Sequence, residues 1–161
     1  MNLLSFEKVF WLGIKNKTLN FIYLIINEAE RIMNLTYQKQ IQVTEAHIDQ
    51  NNHVNNVQYV HWVEEMATEH WELVKEKTDY PDDIWMLVDH HIQYKKQVYL
   101  GDIITVKTYP KAPEGIKQPR KVEFYCNDKL VVDSSTLWVL VDLKTQKIKR
   151  LDSDWLDKLT E

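Results

Sequence analysis

Glycine, serine and cysteine are scarce in this 161-residue chain, and each shortage removes a class of chemistry. The three glycines, Gly13, Gly101 and Gly115, stand alone. Neither GxGxxG nor a Walker P-loop can be written from them, because both need closely spaced glycines to bring backbone up to phosphate. None of the four serines, Ser5, Ser134, Ser135 and Ser153, is flanked as in a GxSxG elbow, which excludes that kind of serine hydrolase. The one cysteine, Cys126, closes no internal disulfide and no cysteine-based zinc site, so a reducing compartment and a cytoplasmic protein are expected. Long apolar runs are missing too: Phe21 to Ile26 is followed at once by polar and charged residues. That falls far short of the roughly 20 residues a membrane span needs, and no small-residue cleavage site marks a secretory leader. Nor is there a basic excess, with 20 Lys+Arg against 24 Asp+Glu for a net charge of -4. Residues 1–32 carry four basic and three acidic residues, or +1, which leaves -5 on the rest. Such a body lacks the basic face on which nucleic acid binding depends.

What is present, 44% hydrophobic and 27% charged residues, is the profile of one soluble domain able to build its own core. Residues 1–32 read as an N-terminal extension with a helix over Leu19–Ile32. Met33 is an alternative start, and residues 33–161 are expected to carry the function. From Tyr37 to Thr44 the residues alternate with period two, which predicts a half-buried strand. Val54–Lys77, free of Gly and Pro, has helical spacing. Val57, Val60, Val63, Ala67, Trp71 and Val74 fall within a sector of about 120°, the stripe expected to be buried. Strands are then expected over 84–96, 102–109, 121–126, 130–141 and 148–151, with a hairpin turn at Asn127–Asp128 and a short terminal helix holding Trp155, Leu156 and Leu159. A strand, one long helix and then four or five antiparallel strands predict an α+β domain whose sheet curls around the helix.

The densest cluster of polar side chains, His47, Asp49, Gln50, Asn51, Asn52, His53, Asn55 and Asn56, lies just before that helix. A helix N-terminus leaves backbone N–H groups unpaired and a positive partial charge, suited to polarising a carbonyl or holding an oxyanion. Asp49 could serve as general base or nucleophile, with Asn51 and His53 orienting water or substrate. The alternative is that these residues only make turns and a helix cap. Glu64 falls about 20° from Val57 and Trp71 on the helical wheel, at the edge of the expected buried stripe. A carboxylate there is either paired, exposed at the margin, or used. His61 and Glu65 read as an exposed pair one turn apart. Asp89-His90-His91 sits on a strand, where neighbouring side chains point to opposite faces, so no metal site is expected. Lys111, Lys117, Arg120 and Lys121 read as a solvated basic loop, or as a contact for coenzyme A phosphates or an acidic carrier protein. Cys126 reads as inert core.

The run from His47 through Asp49, Asn51, His53, Val54, Asn55, Asn56 and Tyr59 to Trp62 resembles the D-x-D-x-N-x-H-V-N-N-x-x-Y-x-x-W signature of hotdog-fold thioesterases, above all their acyl-acyl-carrier-protein branch. Residues 139–151 resemble that superfamily's final strand and hairpin. The resemblance implies a hotdog fold, hydrolysis of acyl-carrier-protein or acyl-coenzyme A thioesters to free fatty acid and thiol, and no cofactor or metal. It implies roles around the thioester for Asp49, Asn51 and His53, and an active-site carboxylate at Glu64, where hydroxybenzoyl-CoA-type relatives place one. Helix N-terminal amides near Val54 and Asn55 would polarise the carbonyl, with Asn56 beside them, and Tyr59 and Trp62 would line the acyl tunnel or pack as core. His47 departs from the signature's first Asp. The plant enzymes have two tandem modules and this chain has length for one, which implies a homodimer or homotetramer. Two rival readings are a non-catalytic module that binds acyl thioesters and a hotdog hydroxyacyl dehydratase using His53 and Glu64.

Overall fold

The computed structural model describes residues 3–159 apart from positions 81 and 153, with side chains from residue 17 onward. The chain divides into two units, Met1–Asn34 and Leu35–Glu161. The first is one helix, α1 (Leu3–Asn34). It starts well before the expected Leu19, because a lone Gly13 is tolerated in a helix and no proline interrupts the segment. No helix of the described residues is long and apolar enough to cross a membrane.

The second unit runs β1 (Tyr37–Gln42), α2 (Asn56–Val74), β2 (Ile84–Tyr94), β3 (Ile103–Pro110), β4 (Lys117–Cys126), β5 (Lys129–Val141), β6 (Ile148–Lys149) and α3 (Trp155–Lys158). All strand pairs are antiparallel, in the order β1-β3-β4-β5-β2, with β6 added beside β5. The Asn127–Asp128 turn has positive φ at both residues, 50° and 57°, the twist that suits a two-residue hairpin. One face of the sheet packs on α2. Tyr59, Trp62, Val63 and Met66 meet Val106, Val122, Phe124 and Val132 in the main core. Beside the C-terminal half of α2, Leu35, Val74, Leu140, Leu151, Trp155 and Leu156 form a second cluster.

Two expectations are corrected here. The buried stripe of α2 is Tyr59, Trp62, Val63, Met66, Ala67, His70 and Val74, whereas Val57 and Val60 are 58% and 39% exposed. The helix is apolar around most of its circumference, and the sheet takes the side bearing the bulkiest rings, where burial removes most area from water. Glu64 therefore stands on the exposed side with Val57 and Val60. The second correction is β4, which begins at Lys117 and not at Lys121. Arg120 thus belongs to a strand of the sheet rather than to a solvated loop.

The sheet leaves β2 as an 11-residue edge strand. Ile84, Met86, Leu87 and Val88 are exposed along it, and a bulge interrupts the ladder between Leu87 and Asp89. A long apolar edge with unpaired backbone groups is open to pairing with another strand.

Candidate active site

The polar loop folds as a tight hairpin onto the start of α2. Ile48 and Val54 bridge across it, the Asp49 amide donates to the His53 carbonyl at 3.0 Å, and Asn52 turns the chain with φ of 62°. The half-buried Asp49 holds the turn with its own side chain, accepting from the Asn51 amide at 2.8 Å and from Asn51 Nδ2 at 3.4 Å. Asn55 caps α2, its Oδ1 accepting from the Val57 amide at 2.9 Å. The turn-and-cap reading of Asp49 and Asn55 thus holds structurally.

The backbone donors differ from expectation. The Val54 amide donates to the Val98 carbonyl and the Asn55 amide to the His47 carbonyl, both at 2.9 Å, so neither is available to a substrate. With Val57 held by the cap, Asn56 supplies the first amide of α2 that no described residue accepts from. His53 and Asn56 border an open cavity with Tyr94, Lys96 and Tyr99, and the His53 ring meets Tyr99 edge-on at 6.0 Å. Tyr59 also touches this cavity, but it is 3% exposed and packs edge-on against Trp62 and Phe124. Burial pushes its phenol up. Trp62 is core, with His47 edge-on against it at 5.1 Å.

Glu64 lines a different cavity of about 300 Å³, between α2, the sheet and α3, whose walls include Trp71, Trp85, Trp138 and Trp155. Asp49 does not border it. Within one chain the two carboxylates are therefore not brought into one pocket. Glu65 pairs with Lys39 at 2.8 Å rather than with His61. His90 turns inward to Ser134 at 2.9 Å while His91 is exposed, as adjacent strand residues must be. Cys126 is half-buried against the main core.

Sequence reasoning missed His70, and it put Arg120 in a basic loop rather than beside that histidine. Arg120 Nη1 lies 3.1 Å from His70 Nδ1 and donates to Thr108 Oγ1 at 3.0 Å. Burial, and then the Arg120 charge, hold the His70 imidazole neutral with its pKa lowered to about 3. An unfolded histidine takes up its proton near pH 6.5, so below that value the unfolded chain binds more protons than the folded one. Stability is then complete above about pH 6.5 and falls on acidification, by up to about 1.4 kcal/mol per pH unit from this group. Urea unfolding between pH 6.5 and 5, above the main carboxylate range, should show that slope in the wild type and a flatter one in His70→Gln. Equal slopes in the two proteins would contradict it.

A single long helix wrapped by an antiparallel sheet, with an acidic loop folded on the helix N-terminus, defines a hotdog-fold thioesterase. The model of the acyl-ACP thioesterase N-terminal domain matches residues 34–159, and the chain belongs to that family. It is a thioester hydrolase by family. The chain is 26% identical over 134 residues to the long-chain acyl-CoA thioesterase FadM of Escherichia coli, an alignment spanning 77% of this chain and 97% of that protein. Among solved structures, the YbaW probable thioesterase of Escherichia coli superposes with a TM-score of 0.66 at 25% identity, over 76% of this chain and 96% of that one. The 12:0-ACP thioesterase of Umbellularia californica shares the fold, with a TM-score of 0.65 at 12% identity over 77% of this chain and 49% of that one.

Proposed function

We propose that this protein releases a carboxylic acid from a fatty acyl thioester of coenzyme A or acyl carrier protein, with Asp49 at the reacting carbon. The observation that carries the reading is the Asp49 loop, which the Ile48–Val54 bridge folds against the start of α2. In this mechanism the Asn56 amide and the helix dipole polarise the thioester carbonyl. Asp49 takes the proton of a water whose oxygen bonds to the carbonyl carbon, or attacks that carbon itself to leave, once the thiolate has gone, an acyl anhydride that water then hydrolyses. Asn51 orients the carboxylate, and His53 positions the water. The tetrahedral oxyanion then collapses, the C–S bond breaks, and the sulfur leaves as a thiolate, a good leaving group because thiols ionise near pH 8.5. None of these steps asks for a cofactor.

Glu64 enters as a second carboxylate. Because it and Asp49 line different places in one chain, a second copy is needed to bring Glu64 of one subunit toward the loop of the other. The open β2 edge and the exposed Val57 and Val60 supply the apolar surface for that assembly. Light scattering at micromolar concentration should give a dimer or tetramer, and a monomer would contradict the shared site. Activity is assigned to residues 33–161, in a cytoplasmic protein, with residues 1–32 a dispensable extension.

Product analysis separates this reading from its rivals. A hydrolase yields free thiol and acid from a saturated acyl thioester. A dehydratase yields an enoyl thioester from a hydroxyacyl one and no thiol, and a binding module yields neither.

A further inference from the structure

The cavity beside Glu64 has tryptophan walls and a cation on its sheet side. Arg120 lies there half-buried, and this burial pulls its pKa down to about 10. Its partners are His70 and Thr108, and neither is a carboxylate. Neutral His70 accepts a hydrogen bond without cancelling the charge. Glu72, at the same cavity, is paired with Lys75 at 2.6 Å, and no described carboxylate forms an ion pair with Arg120. A half-buried cation without a counter-ion still loses part of its hydration, and an apolar residue of similar volume would serve a pocket meant only for hydrocarbon better.

The polar character continues across the sheet. Arg120 pairs in register with Thr136, and Thr136 with His90 on the edge strand, so the three share one face. Thr136 accepts from Trp138 Nε1 at 2.8 Å, and Ser134, fully buried, meets His90. A cavity of about 300 Å³ is at the small end for a ligand site and suits a group of modest length.

We propose that the acyl group hydrolysed here carries an acceptor oxygen at its far end, a carboxylate or a ketone, and that the free N–H groups of Arg120 bind it inside the tryptophan-walled cavity. Arg120 is then a specificity-determining residue. The inference rests on the thioesterase reading, and Glu64 at the same cavity places the thioester end of the substrate near the rim.

Three coenzyme A esters of equal chain length test it: octanoyl, its ω-carboxy analogue suberoyl, and 7-oxooctanoyl. The wild type should favour at least one oxygenated ester over octanoyl by about tenfold in kcat/KM, the scale of one charge-assisted hydrogen bond. Arg120→Met should reduce that ratio by a similar factor. A wild-type preference for octanoyl, or a ratio unchanged in Arg120→Met, would overturn the proposal, since general damage lowers all three rates together and leaves the ratio intact. Should Arg120→Met fail to fold, tryptophan fluorescence of the wild type titrated with monomethyl suberate, which keeps one free carboxylate, and with methyl octanoate, which has none, decides the matter. Tighter binding of monomethyl suberate supports Arg120 recognition, and tighter binding of methyl octanoate contradicts it. If the wild type cleaves none of the three esters, the preference is read from the titration alone, so a failure of turnover is told apart from a failure of recognition in the cavity.

Discussion

Replacing Asp49 by Asn should lower kcat/KM for acyl thioesters by about a thousandfold, in the range lost when a positioned base or nucleophile is removed. The substitution isolates chemistry from folding. Asp49 accepts from the Asn51 amide at 2.8 Å, and an asparagine oxygen can accept the same bond and keep the turn. What it cannot do is take a proton from water or form an acyl adduct. Asp49→Ala removes both roles and should add a loss of about 1 kcal/mol in stability from the broken turn. A thousandfold defect in Asn with an unshifted Tm would mark the carboxylate as chemical. Full activity in Asp49→Asn would reduce Asp49 to a turn former.

Phe124→Ala should have the largest effect on stability. Phe124 is fully buried and packs edge-on against Tyr59 at 5.3 Å between ring centroids, with Trp62 at 6.3 Å. It is the point where β4 grips the first half of α2, the part of the helix that carries the acidic loop. Truncating a buried phenylalanine costs about 3–5 kcal/mol, a large share of a typical total of about 5–15 kcal/mol. For a domain of this size the expected fall in Tm is about 10 °C or more. A shift of only a few degrees in calorimetry would show that the core closes around the lost ring.

Much of this fold was legible because local signals agreed with the tertiary arrangement. Period-two alternation in β1 and the Asn127–Asp128 turn are properties of neighbouring residues, and each appears where expected. The acidic loop was legible as well, since turn formers ahead of a long apolar segment mark a helix N-terminus. The face that α2 buries was not. With Val57 and Val60 on one side and Tyr59, Trp62 and Met66 on another, periodicity finds an apolar helix without saying which side meets the sheet. Glu64 was accordingly placed at a buried margin, whereas it stands exposed at a cavity wall.

Arg120 was hidden for a different reason. Four basic residues made the segment look like a solvated loop, and only the pairing of β4 with β3 and β5 turns Arg120 inward. Its partner His70 was unreadable because the histidine lies 50 residues away in sequence. The available helix amide was equally out of reach. That Val54 donates to Val98 depends on the segment between β2 and β3, which nothing in the loop itself announces.

The central claim is that the loop at the start of α2 cleaves acyl thioesters through Asp49. The measurement that tests it most directly is steady-state thiol release from saturated acyl-coenzyme A and acyl-carrier-protein thioesters, with wild type and Asp49→Asn compared at equal folded concentration. The account predicts turnover by the wild type on at least one carrier and loss of about three orders of magnitude in the variant. Thioester binding without thiol release by the wild type, or equal turnover by the two proteins, would contradict it.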